Sequence, residues 1–307
     1  MQLVFIATGE IALPSFHHLL EHGPRPLALV TQPDKPTGRH QALTPPAIKL
    51  AALAAGIPVF QPEKIGDITA ELAALEPEIL VVMAYGQILR QNILTLASKA
   101  IINLHASLLP KYRGAACIQA AIDAGDSETG ITAMHVVREL DAGDIIWAKS
   151  IEIAADETGG SLHDRLAELA PAVLAETLEK LAAGTVVRVP QDSAASTYIS
   201  KLERDHGRLD WSQDAAALAR RIRAYDPWPG TFTLATEDGR PRRLKIFPPV
   251  SVLDQALSPG EISSIDGQLV VGCGSGALRL ESVQPEGSRK MSAADYLRGR
   301  KPAAFER

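Results

Sequence analysis

Cysteine is scarce: Cys117 and Cys273 are the two thiols in 307 residues. Two cysteines cannot build a disulfide framework, and neither stands at the CxxC or Cys/His spacing of a zinc site. Both are expected to be reduced thiols in a cytoplasmic protein. Long hydrophobic runs are also lacking. The opening Met1-Gln2-Leu3-Val4-Phe5-Ile6-Ala7-Thr8-Gly9 has no basic leader, and its apolar stretch is too short for a signal peptide or a membrane span, so no membrane partner is expected. No internal repeat or low-complexity tract is present. His17, His18 and His22 crowd one segment, but only His18 and His22 are four apart and no acidic partner follows at ligand spacing, so no metal is expected.

Apolar residues make up 46% and charged residues 22%, the balance of a soluble globular chain rather than a disordered one. The length suits two domains. The net charge of −5 is unevenly spread: from Arg204 onward 16 Lys/Arg face 13 Asp/Glu, whereas before it 15 face 23. A basic C-terminal part on an acidic chain suits contact with an anion, and it equally suits an unevenly charged solvated surface.

Apolar runs at 3–7, 27–31, 79–84 and 101–104 read as buried strands, with helical periods at 13–21, 46–55 and 68–75 between them. This alternation predicts an α/β domain on a mostly parallel sheet. Two further strands are expected at 132–137 and 144–153, then a long helix over 160–181. The small polar stretch Val189-Pro190-Gln191-Asp192-Ser193-Ala194-Ala195-Ser196 reads as a linker. The expected division is a first domain over 1–189, a linker over 190–205 and a second domain over 206–307. In the second, a helix near 214–223 and short strands at 232–235, 243–247, 260–263, 269–271 and 277–282 suggest a small β-barrel.

Chemistry concentrates in Asn103-Leu104-His105-Ala106-Ser107-Leu108-Leu109-Pro110-Lys111-Tyr112-Arg113-Gly114. An apolar strand runs straight into Asn-x-His, and period-two alternation puts both side chains on one face at the strand's carboxyl end, the edge where open α/β sheets bind ligands. Downstream, Glu139-Leu140-Asp141-Ala142-Gly143 places a carboxylate in a turn. An amide donor, a titratable imidazole and a charge to orient it form a set suited to acyl transfer onto an amine. Spacing alone leaves a loop-stabilising pair and an ordinary turn open as readings. Gly272-Cys273-Gly274-Ser275-Gly276 fails the dinucleotide-loop spacing and precedes a strand, so it reads as a hairpin turn.

The whole string, followed 38 positions after Asn103 by Leu-Asp-x-Gly, resembles the active site of the folate-dependent formyltransferases. Thr31-Gln32-Pro33-Asp34-Lys35-Pro36-Thr37-Gly38-Arg39, Val82-Met83-Ala84-Tyr85-Gly86, Ile222-Arg223-Ala224-Tyr225-Asp226-Pro227-Trp228-Pro229-Gly230 and Met291-Ser292-Ala293-Ala294-Asp295-Tyr296-Leu297-Arg298-Gly299 resemble the branch that formylates methionyl-tRNA. The chain departs from the family pattern at Ala7-Thr8-Gly9-Glu10-Ile11, at Cys117 where a proline is usual, and at His40-Gln41-Ala42.

The resemblance implies a Rossmann-like catalytic domain followed by an oligonucleotide-binding (OB-like) barrel. It implies transfer of a formyl group from 10-formyltetrahydrofolate, as co-substrate, to initiator methionyl-tRNA by a monomer, with an amino sugar nucleotide as the rival acceptor. Carried onto this chain, Asn103, His105 and Asp141 are catalytic. Ser107, Leu108, Leu109, Pro110, Gln87 and Leu89 line the folate side, though Leu108 and Leu109 also read as ordinary core. Arg39, Arg220, Arg223, Arg243, Lys245 and Lys290 are expected at tRNA, though such basic runs also read as solvated faces.

Overall fold

In the computed structural model, which describes residues 1–38, 41–237, 240–300 and 304–306, the expected alternation of strand and helix is realised. Along the chain run β1 (Leu3–Ala7), α1 (Leu13–His22), β2 (Ala28–Val30), the hairpin β3 (Lys35–Thr37) and β4 (Ala42–Thr44), α2 (Ala47–Ala54), β5 (Val59–Phe60), α3 (Thr69–Ala74), β6 (Ile79–Met83), α4 (Gln91–Leu94), β7 (Ala100–His105), β8 (Arg113–Gly114), α5 (Cys117–Ala124), β9 (Glu128–His135), β10 (Ile145–Glu152), α6 (Gly159–Ala183) and β11 (Tyr198–Ile199). There follow α7 (Ala215–Ala224), β12 (Thr231–Glu237), β13 (Arg240–Leu253), β14 (Ile262–Ile265), β15 (Gln268–Gly272), β16 (Ala277–Pro285), β17 (Met291–Ser292) and α8 (Ala293–Gly299). No described helix is long and apolar enough to cross a membrane.

The chain forms two compact units. The first comprises Met1–Cys117, Thr129–Ile151 and His163–Ile199, and the second comprises Ile118–Glu128, Glu152–Leu162 and Ser200–Arg307. The second unit thus takes two short segments from the stretch expected to belong wholly to the first. Those segments carry the atoms that anchor α7: Asp123 is ion-paired with Arg221 at 2.9 Å, and the Glu157 carbonyl accepts from Arg223 at 3.0 Å.

In the first unit the sheet order is β10-β9-β7-β6-β1-β2-β5. β5, β2, β1, β6 and β7 run parallel, and β9 is antiparallel to β7. Every side chain of β1, β2 and β6 is buried, as in strands covered on both faces, which is why these runs are apolar without alternation. β7 extends one residue beyond the expected strand and takes in His105. Asn103 pairs with Val82 on one side and Met134 on the other, and His105 pairs with Thr132. Both residues are therefore fixed by the sheet itself.

The stretch read as a linker is structured. Its Tyr198 and Ile199 form β11, parallel to β8, with Tyr198 opposite Arg113 and Ile199 opposite Gly114. The division between the two units falls at 199/200, inside the expected 190–205, and composition does not display the docking because short polar residues make loops whether the loop is free or docked.

In the second unit β12, β13, β16, β15 and β14 form an antiparallel sheet in that order, with β17 added to β16. β13 is longer than the expected strand because it continues through Pro248-Pro249, where neither residue offers an N–H and the register against β16 shifts between Phe247 and Val250. Ala304 and Phe305 bridge to Glu261 and Ala235, so one short segment reaches both β12 and the approach to β14. Asp214 caps α7 by accepting from the Ala216 and Ala217 N–H groups, and the helix buries Leu218 and Ile222 in a core with Trp211, Leu244, Leu278, Tyr296 and Phe305.

Candidate active site

His105 ends β7 and is 6% exposed, with a polar partner facing each ring nitrogen. Nε2 lies 2.9 Å from the Tyr112 carbonyl oxygen. A carbonyl only accepts, so Nε2 carries the proton of that bond, and Nδ1 is the nitrogen free to gain or lose one. Nδ1 faces the Asp141 carboxylate, with Oδ2 at 3.7 Å. That carboxylate also accepts from the Gly114 N–H at 2.8 Å. Only glycine fits at 114: φ is +103°, and a Cβ would stand 2.3 Å from the Ile199 carbonyl oxygen.

Burial alone would lower the proton affinity of the His105 ring. The Cys117 thiol against the ring, the Asp141 charge and the Tyr112 carbonyl outweigh it and lift the pKa to about 9. These contacts favour the imidazolium over the neutral ring. Its folded-state pKa lies above the ordinary 6.5, so its contribution to stability is full below about 6.5 and is lost as pH rises through about 9. Cys117→Ala removes one of the raising contacts and should move the His105 titration to lower pH. Imidazole proton NMR reads this directly, and an unmoved titration would discard the thiol as a cause.

Asn103 is half-buried, and among the described residues its amide has no hydrogen-bond partner. It stands two residues from His105 on the same face of β7, so a donor not engaged by any described residue lies on the side of the strand that carries the ring.

Of the residues expected on the folate side, Ser107 is fully buried with its hydroxyl donating to the Lys111 carbonyl at 2.7 Å, so it braces the loop. Thr132 secures the same loop from β9, donating to the Ser107 carbonyl at 2.6 Å and accepting from the Leu109 N–H at 3.2 Å. Leu109 is buried and Leu108 and Pro110 are half-buried. Gln87 is engaged with the 63–65 loop, accepting from the Ile65 N–H and donating to the Glu63 carbonyl. Leu89 is buried in a cluster with Val82, Tyr85, Ile93 and Ile101. The two loops leave the carboxyl ends of the neighbouring parallel strands β6 and β7.

The basic residues divide by environment. Arg220 donates to the Asp123 carbonyl at 3.1 Å and Arg223 to the Glu157 carbonyl, so both help hold the second unit together. Arg243 lies over the Phe232 ring at 3.4 Å and Lys290 over Phe247 at 4.3 Å, while Lys245 is exposed. Arg39 lies outside the described residues.

Sequence reasoning missed the partners that hold the set together: the Tyr112 carbonyl, Gln191 and the side chain of Arg113. The last is 1% exposed. An arginine between Tyr112 and Gly114 reads as a loop cation, and nothing in the string signals that it is buried.

Two family models match the chain: formyl transferase over residues 3–178 and formyl transferase, C-terminal domain, over residues 201–301. The methionyl-tRNA formyltransferase of Akkermansia muciniphila is 50% identical over 304 residues, covering 97% of this chain and 96% of that protein. The enzyme of the same name from Methylococcus capsulatus is 45% identical over 301 residues, with 97% and 96% covered. Among solved structures, an N-formyltransferase from Helicobacter canadensis in complex with folinic acid and dTDP-3-aminofucose aligns with a TM-score of 0.69 at 17% identity, covering 95% of this chain and 100% of that one. HypX from Aquifex aeolicus in complex with tetrahydrofolic acid aligns with a TM-score of 0.65 at 18% identity, covering 97% and 47%. At such identities the structural likeness speaks to fold alone.

Proposed function

This chain belongs to the formyl transferase family, and from that footing we propose that it transfers the formyl group of 10-formyltetrahydrofolate to the α-amino group of initiator methionyl-tRNA. The observation that carries the acceptor is the near-full-length identity to methionyl-tRNA formyltransferases, which extends through both units. The observation that carries the chemistry is the His105 ring set between the Tyr112 carbonyl and the Asp141 carboxylate.

In the reaction a bond forms between the acceptor nitrogen and the formyl carbon, the bond from that carbon to the folate nitrogen breaks, and one proton passes from the amine to the departing nitrogen. Negative charge builds on the formyl oxygen meanwhile. The Asn103 amide, with no partner among the described residues, supplies a donor to that oxygen, and the His105 imidazolium adds a positive charge beside it. Nδ1 is the ring nitrogen that exchanges the proton, and Asp141 steadies the charged ring and receives the amine proton, directly or through water. The loops after β6 and β7, with Leu89, Leu108, Leu109 and Pro110, form the apolar wall for the folate, and Ser107 and Gln87 act by shaping those loops. The donor set suits folate because a flat, polar-edged ring needs apolar walls and exposed peptide groups.

For tRNA, Lys245 is the best placed phosphate contact of the second unit, with Lys290 and Arg243 beside aromatic rings on the same sheet. Arg39 remains assigned to the acceptor end by resemblance. Monomeric enzyme in the cytoplasm completes the reading.

Purified protein should form N-formylmethionyl-tRNA from 10-formyltetrahydrofolate and leave amino sugar nucleotides untouched. Formylation confined to the sugar would retain the chemistry and overturn the acceptor.

A further inference from the structure

Gln191 stands where composition expects a spacer, yet its side-chain amide joins two parts of the site. Its Oε1 accepts from Arg113 at both Nε (3.0 Å) and Nη2 (2.8 Å). Its Nε2 donates to the carbonyl oxygens of Asp141 and Gly143, each at 2.8 Å. A guanidinium only donates and a carbonyl only accepts, so the amide has one workable orientation. Asp141 benefits from such a hold, because its φ is +51°, in the left-handed region that L-residues adopt less readily than glycine.

Arg113 is fixed in turn. Its Nη1 donates to the Tyr198 hydroxyl at 2.8 Å, and that hydroxyl donates to Glu139 Oε1 at 3.1 Å, at the start of the Asp141 turn. The carboxylate paired with the buried guanidinium is exposed Glu139 at 3.8 Å, and the neutral amide and hydroxyl lie closer.

The same segment holds the other side of the imidazole. Thr197 Oγ1 accepts from the Tyr112 N–H at 2.8 Å, the Thr197 carbonyl accepts from the Arg113 N–H at 2.8 Å, and the Ile199 carbonyl accepts from the Ala115 N–H at 3.0 Å. Tyr112, also left-handed at φ +59°, is the residue whose carbonyl takes the His105 Nε2 proton. Residues 191–199 therefore fix both neighbours of the ring.

We propose that Gln191 is a positioning residue for formyl transfer: through the Asp141 and Gly143 carbonyls it keeps the Asp141 carboxylate against His105, and residues 191–199 brace the active site. This rests on the catalytic reading of His105 and Asp141. Gln191→Glu tests it, because the side chain keeps its size and its acceptor toward Arg113 but meets the two carbonyls with an oxygen instead of a donor.

The expected result is a fall in kcat of about 10- to 100-fold, the scale on which misplacement by an ångström acts, with KM for 10-formyltetrahydrofolate within about threefold of the parent. The alkaline limb of the kcat–pH profile should move to lower pH, which a merely structural role would not produce. Unchanged kcat and an unmoved limb would overturn the proposal, as would a fall in kcat matched only by a lower melting temperature. If Gln191→Glu does not fold, Thr197→Val, which removes the acceptor for Tyr112, decides by the same readouts. Asp141→Asn runs in parallel: if it is inactive while Gln191→Glu is fully active, the brace alone is refuted, and if Asp141→Asn is fully active the catalytic reading falls with it.

Discussion

Asp141→Asn is expected to lower formyl transfer at least about 100-fold while the protein stays folded and still binds folate. The two side chains have the same size, and Asn accepts a left-handed backbone as readily as Asp, so the turn at φ +51° survives. The amide oxygen can still accept from the Gly114 N–H. The charge facing His105 Nδ1 is lost, and with it one of the influences that keep the ring protonated. Single-turnover kinetics measured alongside folate titration separate the two quantities. Turnover within threefold of the parent would remove Asp141 from the chemistry, and loss of folate binding would show that it acts on the pocket instead.

Trp211→Ala should cost about 3–5 kcal/mol, the range for deleting a large buried aromatic. Trp211 is fully buried, stacks on Phe305 with ring centroids 5.7 Å apart, and donates from Nε1 to Thr233 Oγ1 at 2.9 Å. Removing it leaves a cavity beside Leu218, Leu244 and Tyr296, strips Phe305 of its neighbour and leaves the buried Thr233 hydroxyl without that donor. Urea unfolding followed through both units should show the loss in the second. A change below about 1 kcal/mol would mean that the site collapses around the gap.

The sheet of the first unit was legible because its strands are buried on both faces, and a run such as Leu3–Ala7 admits little else. Asn103 and His105 were legible for a related reason: two polar side chains at alternate positions, just where an apolar strand stops, lie on one face of its end. The antiparallel strands of the second unit were found but drawn short, because Pro248-Pro249 reads as a break and the sheet absorbs it as a register shift. Residues 191–199 were illegible. Their contacts come from the Gln191 amide, the hydroxyls of Thr197 and Tyr198 and the carbonyls of Thr197 and Ile199, polar groups that are as common in free loops as in docked ones, so no pattern of residue types announces them. The segments 118–128 and 152–162 joined the second unit through partners far along the chain: Asp123 holds Arg221 by its carboxylate and Arg220 by its carbonyl, and the Glu157 carbonyl holds Arg223, pairings that local sequence does not display.

The left-handed backbone at Asp141 also constrains how this position can change over generations. Gly and Asn suit that conformation best and lie one base change from an Asp codon, yet both discard the negative charge. Glu, another single base change, keeps the charge but adds a methylene to a carboxylate seated between the Gly114 N–H and the His105 ring, on a backbone it adopts less readily. Every short mutational step therefore sacrifices either the turn or the charge. Drift at 141 should be rarer than at the chemically simpler Ser107, whose bond to a carbonyl a threonine hydroxyl could also make.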